Sequence, residues 1–302
     1  MKIIAVVVTF NRLSLLQRTI ACLRDSQPAL DAIVVVNNDS SDGTRQWLDS
    51  QSGLTVIHQD NVGGAGGFRR GMKKAHEMGA DWVWCMDDDV FPRPDCLSRF
   101  IDHMDYAGVG IMSPRRLVEG EIFTTEFQAF DLFHTMASTS ISPLRKMQVN
   151  NTVEIAGAAF EGLFIKRDVI DAIGYPNDRL FIFYDDTDYC IRTLQAGFKL
   201  IYVPQALMDK QKFFSNVTWL ERTRAKRWKR FYQVRNGSWF HHRYGKTWGV
   251  RNIRPFNAML GYMIPALVLG LFTKAYRAGD AARFVRAYRE GRREQLGRIP
   301  WL

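Results

Sequence analysis

Cysteine is scarce in this sequence, and none of it is spaced like a metal-binding or redox motif. The 302 residues contain four cysteines, Cys22, Cys85, Cys96 and Cys190, without a C-x-x-C pair. Because at least two lie in apolar runs that are typical of buried strands or helices, we expect reduced, buried thiols. This argues against a small disulfide-stapled secreted fold and predicts a cytosolic protein.

Long apolar segments are also missing. The run at residues 1–8 ends in a polar turn at Asn11 with no small-residue cleavage site after it, so it is typical of a first strand and not of a secretory signal. The apolar stretch 256–272 is short for a membrane-spanning helix, and Pro265 interrupts it. We therefore expect no segment that crosses a membrane.

The common phosphate-binding signatures are absent. The glycine-rich stretch 61–71 is neither a G-x-G-x-x-G after the first strand nor a G-x-x-x-x-G-K-[ST] loop. Four glycines within residues 63–67 allow either a close approach of the backbone to a ligand or a flexible turn. Gly64 and Gly66 are the candidate ligand contacts of this stretch.

The excess positive charge is confined to one segment. The chain carries a net charge of +10, with 41 basic and 31 acidic residues. Between Glu221 and Arg254 there are eleven Lys or Arg and one acid, which leaves 30 basic and 30 acidic residues elsewhere. This segment is therefore expected to face an anionic partner, such as substrate phosphates, anionic lipid or nucleic acid.

Three consecutive carboxylates follow the short apolar run 81–86. Asp87, Asp88 and Asp89 repel one another, so the cluster is either solvated or neutralised by a hard divalent cation with oxygen ligands. Strand alternation places Asp87 and Asp89 on one side of the backbone and points Asp88 away. The first and third carboxylates are therefore the candidate metal pair.

Short strands and helices alternate in the first part of the chain. Apolar runs at residues 3–8, 31–36 and 54–58, and the run that opens at Asp81, each end in polar or glycine-rich residues. This alternation predicts an α/β fold with a mostly parallel central sheet. Ligands bind beyond the carboxyl ends of the strands in such sheets, so the site is expected there. Residues 113–153 have no clear period and are assigned to loops and edge strands.

A second acidic cluster follows the aromatic run 180–184. Asp185, Asp186 and Asp188 lie where a strand is expected to give way to a helix. Carboxylates are common in the first turn of a helix because they complement its dipole. A cap needs only one acid, so a helix cap and a catalytic role both fit the pattern.

The last third of the chain is predicted to be helical. Residues 219–244 carry aromatic side chains at helical intervals, which indicates a helix packed on the α/β body. The apolar stretch 256–272 and the arginine-rich tail 274–298 suit either a membrane interface or a core helix with a solvated tail. We therefore divide the chain into a catalytic domain, residues 1–215, and a helical C-terminal region, residues 216–302.

Four ordered motifs resemble the GT-A glycosyltransferases of family 2, which are inverting, metal-dependent enzymes that use nucleotide-sugars. The resemblance covers roughly residues 3–205 and implies the GT-A nucleotide-sugar-binding fold. The glycine-rich stretch and the apolar run before the three carboxylates look most like the galactofuranosyltransferase branch, with a rhamnosyltransferase branch second. The motifs are Thr9-Phe10-Asn11-Arg12, residues 37–44, Asp87-Asp88-Asp89 and residues 184–188.

The resemblance implies a role for each motif residue. In an in-line displacement the acceptor hydroxyl needs a base, which contributes typically ~10²–10⁴-fold. Asp186 would be that base, Asp185 is the second choice, and Asp188 would contact the acceptor. Phe10 would stack on the nucleobase and Arg12 would reach phosphate. The full set expected to bind the substrate is Thr9, Phe10, Asn11, Arg12, Asn38, Asp39, Gly64, Gly66, Asp88 and Asp188.

The family also implies a divalent cation, Mn²⁺ or Mg²⁺, held by Asp87 and Asp89. Family members commonly add a histidine ligand some two dozen residues after the base, but residues 203–210 contain none. Asp209 is the first candidate to replace it, because carboxylate oxygen suits these ions. Water, or one of the histidines at 241 and 242, is the alternative.

The sequence thus predicts an inverting transferase that moves galactofuranose from UDP-galactofuranose to a glycan acceptor, lipid-linked, in cell-surface polysaccharide synthesis. Rhamnose transfer from dTDP-rhamnose is the alternative within the family. A non-catalytic protein that binds nucleic acid or sugar is the alternative from another class, although carboxylate clusters at the strand ends would repel nucleic acid. We expect the protein in the cytoplasm, peripheral on the inner face of the cell membrane.

Overall fold

The protein folds as two compact units. The structure is a computed structural model, and it describes residues 1–144, 149–213, 217–273 and 275–302. The sheet unit contains residues 1–129, 140–178 and 186–212, and the helical unit contains residues 130–139, 179–185 and 213–302. The boundary that the sequence suggests at residue 215 lies outside the described residues.

The sheet unit is built around one large sheet. The strands are β1 (Ile3–Thr9), β2 (Ala32–Asn38), β3 (Leu54–Gln59), β4 (Trp82–Asp87), β5 (Val90–Pro92), β6 (Val109–Val118), β7 (Glu121–Phe123), β8 (Phe127–Phe130), β9 (Ser140–Pro143), β10 (Val153–Ile155), β11 (Leu163–Lys166) and β12 (Lys199–Lys210). The order across the sheet is β10-β12-β6-β11-β4-β1-β2-β3, with β5 paired to β12 and β7 to β6. β8 and β9 pair separately.

The direction of the strands places several strand ends at one edge. β1, β2, β3 and β4 are parallel, β11 runs antiparallel to both β4 and β6, and β12 is parallel to β6. The predicted α/β class is confirmed, and the sheet is mixed because β11 inserts in the opposite direction. The carboxyl ends of β1, β4 and β12 and the start of β11 therefore lie at the same edge.

The helices follow the strands as the sequence pattern indicates. They are α1 (Leu13–Arg24), α2 (Thr44–Asp49), α3 (Gly63–Glu77), α4 (Cys96–Ile101), α5 (Arg167–Ile173), α6 (Asp185–Gln195), α7 (Trp219–Tyr244), α8 (Trp248–Phe272) and α9 (Asp280–Arg292).

Strand β1 shows why the sheet is buried on both faces. Every residue of this strand is buried. Its alternate side chains enter two different hydrophobic clusters, with Ile4, Val6 and Val8 in one and Ala5 and Val7 in the other. A continuous apolar run is the pattern expected of a strand covered on both sides.

The glycine-rich stretch is the beginning of α3 and not a loop up to residue 71. A Cβ at Gly67 would lie 2.5 Å from Cγ1 of Val8, and one at Gly71 would lie 2.3 Å from Cγ1 of Val6. Real Cβ atoms do not approach that closely, so these glycines let α3 pack directly on β1. Close packing of helix on strand is thus one physical reason for the glycine run.

One expectation for residues 113–153 was wrong. Part of this segment belongs to β6, a ten-residue strand that lies between β11 and β12. The pattern is obscured because β6 carries Arg115 and Arg116, and Arg116 is fully buried. A buried charge in a central strand breaks the apolar signal that marks such strands.

The helical unit has its own apolar core. Phe231 of α7 stacks on Phe284 of α9 with ring centroids 4.4 Å apart, and Met259 of α8 is buried in the same cluster. Helix α8 continues through Pro255 and Pro265 for 25 residues. In the described parts of the chain, we find no helix with both the length and the apolar character needed to span a bilayer.

Candidate active site

The acidic cluster lies in the turn between β4 and β5. Asp88 is buried and accepts hydrogen bonds from Oγ1 of Thr9 at 2.7 Å and from Nη1 of Arg12 at 3.0 Å. Burial raises the pKa of Asp88, although Arg12 and Thr9 oppose the shift. Asp88 thus ties the end of β1 to the end of β4.

Asp89 is held by two cations. Nζ of Lys210 lies 2.9 Å from Oδ1 of Asp89, and Nη1 of Arg12 lies 3.2 Å from Oδ2. The same Nη1 atom contacts Asp88, so Asp88 does not point away from its neighbour as strand alternation suggests. The reason is that the strand ends at Asp87 and the next two residues form a turn.

Asp87 is the least compensated carboxylate of the cluster. Burial, together with Asp89 and Glu161, raises the pKa of Asp87 well above its usual value. Within the described residues, its carboxylate forms neither a hydrogen bond nor an ion pair. Such an environment favours either a proton or a bound cation.

Glu161 is a site residue that sequence reasoning missed. It precedes β11, whose pairing with β4 matches Leu163 to Cys85, and continuing this register places Glu161 opposite Asp87. Its carboxylate accepts hydrogen bonds from Nη1 of Arg116 and, at 3.1 Å, from Nζ of Lys210. The only sequence signal for Glu161 as a site residue is that it is a single acid within a run of small residues.

Arg116 and Lys210 supply the positive charge around Glu161. Nη2 of Arg116 also donates to Oε1 of Glu126 at 2.5 Å, where both side chains are fully buried. Burial by itself lowers the pKa of Lys210, but Glu161 and Asp89 raise it above the usual value. Both cations are therefore charged at neutral pH.

Asp186 of the second acidic cluster lies within the electrostatic influence of Glu161. Asp186 lies in the first turn of α6, where the backbone N–H and Oγ1 of Thr187 donate to its Oδ1 at 2.6 and 3.0 Å. Burial, and after it the charge of Glu161, raises the pKa of Asp186, while the Thr187 hydrogen bonds lower it. A carboxylate with a raised pKa beside a cation-binding cluster has the properties of a general base.

Asp185 and Asp188, the other two acids of this cluster, have surroundings that differ from those of Asp186. Asp188 is buried and accepts a hydrogen bond from Nε of Arg192 at 2.9 Å, one turn further along α6. This bond stabilises the helix, and the contact of Asp188 with an acceptor stays a prediction. Asp185 is buried too, and it belongs to the helical unit.

The segment before Asp185 has an unusual backbone. Phe181, Phe183 and Tyr184 have φ angles of 66°, 66° and 67°, which non-glycine residues rarely adopt. Nδ2 of Asn236 donates to the carbonyl oxygens of residues 180, 182 and 183 at 2.9, 2.9 and 3.0 Å. Residues in such strained conformations persist only when their surroundings fix them, and Asn236 does so here.

The Thr9–Arg12 motif contains an exposed aromatic ring, Phe10, and a polar side chain, Asn11, that hydrogen-bonds to the protein. Phe10 is 45% exposed, so its ring is open to stacking. Asn11 has a φ angle of 53°, and its Oδ1 accepts a hydrogen bond from the backbone N–H of Ser41 at 2.7 Å. This bond joins the ends of β1 and β2.

Asn38 and Asp39, the polar residues at the end of β2, differ in their exposure. Asn38 is buried, and its Nδ2 donates to the carbonyl oxygen of Gly63 at 3.0 Å. It therefore positions the start of α3, which contains Gly64 and Gly66. Asp39 is exposed with a φ angle of 66°.

The structure does not place Asp209 with the acidic cluster. Its carboxylate accepts from Nε and Nη2 of Arg93 at 3.3 and 3.2 Å, whereas the adjacent Lys210 reaches Asp89. Successive residues of a strand point to opposite faces, so Asp209 faces away from the site. This corrects the expectation that Asp209 supplies a third metal ligand.

His241 does not have a nitrogen available for a metal. Its Nδ1 donates to the carbonyl oxygen of Gly237 at 2.7 Å, and its Nε2 accepts from Oγ1 of Thr139 at 2.8 Å. Burial lowers the pKa of His241 to about 4, so it is neutral at physiological pH. Both ring nitrogens are used inside the helical unit.

The carboxylates suit a cation that is only partly bound by protein. Over the residues that the structure describes, no three His, Cys, Asp or Glu side chains converge as a complete metal site. Mg²⁺ and similar ions need only one or two carboxylates when substrate phosphates and water supply the other ligands. Asp87 and Asp89 fit this arrangement, because burial, Asp89 and Glu161 disfavour the charged form of Asp87 unless a proton or a cation is bound.

Comparison with known proteins decides the family. Residues 4–174, more than half of the chain, match Glycosyl transferase family 2. The chain belongs to this family. The resemblance drawn from the four motifs is confirmed.

Several similar proteins are named galactofuranosyltransferases. The galactofuranosyltransferase GlfT1 of Mycolicibacterium smegmatis is 28% identical over 200 residues, which cover 64% of this chain and 65% of that protein. GlfT1 of Mycobacterium tuberculosis strain H37Rv is 29% identical over 201 residues and covers 65% of each chain. The glycosyltransferase thus spans about 65% of the length of these two relatives. An undecaprenyl-phosphate mannosyltransferase of Micrococcus luteus is 26% identical over 226 residues, or 70% of this chain and 85% of that protein.

Two solved structures share the fold. GalNAc-T7, solved with UDP, GalNAc and Mn²⁺, has a TM-score of 0.58 at 15% identity and covers 88% of this chain and 57% of that one. The mannosyltransferase PcManGT from Pyrobaculum calidifontis, solved with GDP-Man and Mn²⁺, has a TM-score of 0.52 at 14% identity and covers 96% and 86%. These similarities confirm the predicted GT-A fold of the glycosyltransferase.

Proposed function

We propose that the protein is an inverting, divalent-metal-dependent transferase that moves galactofuranose from UDP-galactofuranose to a glycan acceptor. The observation that supports this proposal is that Lys210 pairs with both Asp89 and Glu161 where β4 ends and β11 begins, and that burial, and after it the charge of Glu161, raises the pKa of Asp186. The galactofuranosyltransferase relatives support the choice of the sugar.

The proposed mechanism divides the work between the two acidic clusters. Asp87 and Asp89 would hold Mn²⁺ or Mg²⁺, which supplies a Lewis acid for the leaving diphosphate. Asp186 takes the proton of the acceptor hydroxyl as that oxygen attacks the anomeric carbon. The raised pKa of Asp186 brings its basicity closer to neutral pH, where a general base works best.

The donor-binding residues follow from exposure and charge. The exposed ring of Phe10 stacks on the nucleobase, and Asp39 is exposed at the neighbouring strand end. Arg12 is 38% exposed at its side chain, so it presents positive charge to the donor while it binds Asp88 and Asp89.

The donor is tested by an assay of UDP release. Purified protein with Mn²⁺, UDP-galactofuranose and a panel of glycan and lipid-linked glycan acceptors should release UDP in an acceptor-dependent manner. UDP-galactopyranose is the matched control, because it differs only in the size of the sugar ring. Release with dTDP-rhamnose and none with UDP-galactofuranose would instead assign the alternative donor.

We also propose that α8 attaches the protein to an anionic membrane surface on the cytoplasmic side. Ile264, Leu267, Val268 and Phe272 are 52%, 52%, 51% and 80% exposed and follow helical spacing, so they form one apolar face. The exposed basic residues of the segment 221–254, among them Arg222, Arg224 and Lys226, favour anionic lipid headgroups over neutral ones.

A flotation experiment tests the membrane proposal. The full chain should float with vesicles that contain anionic lipid, and L267E/F272E should remain in the soluble fraction. Arg222→Glu/Arg224→Glu tests the electrostatic contribution separately. Flotation of L267E/F272E at the level of the unchanged chain would show that α8 is not the attachment surface.

A further inference from the structure

Lys210 bridges two carboxylates of the acidic cluster. Its Nζ lies 2.9 Å from Oδ1 of Asp89 and 3.1 Å from Oε1 of Glu161, and its side chain is only 10% exposed. Asp89 is one of the two proposed metal ligands. A single ammonium group therefore already neutralises part of the charge that a divalent cation would neutralise.

The backbone fixes this lysine at the cluster. Lys210 is the last residue of β12 and pairs with Val90 of β5, immediately after the acidic turn. The next residue, Gln211, donates its backbone N–H to the carbonyl oxygen of Asp89 at 2.9 Å. The ammonium group is thus held beside Asp89 by the pairing of Lys210 with β5 and by the backbone bond of Gln211, and not by a flexible surface loop.

The other cations of the cluster are already engaged elsewhere. Arg12 also binds Asp88, and Arg116 also binds Glu126. Glu161 receives charge from both Arg116 and Lys210, so it keeps one partner when Lys210 is removed or turns away. Of these cations, Lys210 is the one that forms ion pairs only with Asp89 and Glu161 among the described residues.

We propose that Lys210 is a resident cation of the donor site, which competes with the divalent ion for Asp89 and attracts the diphosphate of the donor when that ion is absent. This inference rests on the proposed binding of a nucleoside diphosphate. It predicts opposite effects of one substitution, because removal of the ammonium strengthens cation binding and weakens binding of the anionic nucleotide.

The first measurement is the affinity for Mn²⁺ alone, by calorimetry or electron paramagnetic resonance. Lys210→Met keeps the apolar stem and removes the charge, and it should bind Mn²⁺ at least about tenfold more tightly than the unchanged protein. Lys210→Arg should bind as the unchanged protein does. Equal or weaker Mn²⁺ binding by Lys210→Met would overturn the competition.

The second measurement is the affinity for UDP in the presence of a metal chelator. Lys210→Met should bind UDP at least about tenfold more weakly than the unchanged protein, and Lys210→Arg should stay within a few-fold. Unchanged UDP affinity in Lys210→Met would overturn the role in diphosphate binding. Lys210→Gln provides a second neutral variant should Lys210→Met fold poorly, as judged by circular dichroism.

The control is a lysine two residues further along the chain. Lys212 is exposed and pairs with Glu119 at 2.5 Å, so Lys212→Met removes the same net charge outside the cluster. Lys212→Met should leave the affinities for Mn²⁺ and for UDP unchanged. If it changed them as much as Lys210→Met does, net charge alone would explain the effect, and the proposal would be overturned. Failure of the unchanged protein to bind UDP even with Mn²⁺ would contradict the proposed function, whereas the Mn²⁺ titration tests Lys210 without any nucleotide.

Discussion

The two units each bury an arginine, and they do so in different ways. In the sheet unit, Arg116 of β6 is paired with the carboxylates of Glu126 and Glu161. In the helical unit, Arg235 of α7 donates instead to Asn236 and to two backbone carbonyl oxygens, at distances of 2.6 to 3.3 Å. Both arginines are 1% exposed.

The pKa values show what this difference means. Burial lowers the pKa of both arginines, but the two carboxylates reverse the shift for Arg116 and raise its pKa above the usual value. For Arg235 burial prevails and lowers the pKa to about 10. In the sheet unit, Arg116 is therefore part of a set of paired charges at the proposed site. In the helical unit, Arg235 serves as a hydrogen-bond donor that fixes the backbone at residue 180.

The largest expected effect separates chemistry from binding in the sheet unit. Asp186→Asn keeps the shape and removes the base, so turnover should fall by ~10²–10⁴-fold while donor affinity changes little. Steady-state UDP release and UDP binding measure the two quantities. Asp209→Asn is the matched control, since Asp209 pairs with Arg93 and should leave turnover intact; full activity in Asp186→Asn would refute the assignment of the base.

Breaking the charge pairs of the sheet unit should cost stability in a pH-dependent way. Arg116→Met leaves buried carboxylates without their partner, which costs about 3–5 kcal/mol of unfolding free energy at neutral pH. Burial raises the pKa of Glu161, but Arg116 and Lys210 outweigh it and hold that pKa below its usual value. This stabilisation is fully present above the unfolded pKa of about 4.3 and is lost as pH falls through the lower folded value.

Between pH 7 and pH 3, the difference in unfolding free energy between Arg116→Met and the unchanged protein should therefore stay large down to about pH 4.3 and shrink below it. Urea unfolding at several pH values in this range measures it. A difference that stays constant over the whole range would show that the carboxylates of Glu126 and Glu161 do not account for the effect.

The equivalent change in the helical unit should be smaller and independent of pH. Arg235→Met leaves carbonyl oxygens without their donor, at a cost of about 1–3 kcal/mol. Because these acceptors do not titrate, the loss should be equal at pH 7 and pH 3 in the same urea experiment. A loss that varies with pH as it does for Arg116→Met would remove the contrast between the two units.

The smallest effect concerns His241 of the helical unit. Burial holds its folded pKa at about 4, below the unfolded value of about 6.5. Neutral His241 therefore contributes stability that is present above pH 6.5 and lost as pH falls towards 4, about 2 kcal/mol of it by pH 5.

His241→Gln should remove this pH dependence. Its melting temperature should decrease less between pH 7 and pH 5 than that of the unchanged protein, as measured by differential scanning fluorimetry. An identical decrease in His241→Gln would mean that other groups cause the acid sensitivity.

The motifs that lie together in the sequence could be recognised from it. The acids at 87–89 and 185–188 interrupt apolar patterns over a few residues, which a local pattern can reveal. Lys210 and Glu161 could not be recognised in this way, since Lys210 meets Asp89 across 121 positions and Glu161 lies alone among small residues. The contact between Asp209 and Arg93 depends likewise on which face of β12 each residue occupies.

The sequence by itself determined the alternation of strands and helices, the family and the two acidic clusters, because each depends on residues close together along the chain. Only the tertiary structure decided that α3 starts at Gly63, that β11 runs antiparallel, and that Lys210 and Arg116 surround Glu161. These features arise where distant segments pack against one another, and the energy of a buried charge depends on partners that packing alone brings within a few ångströms.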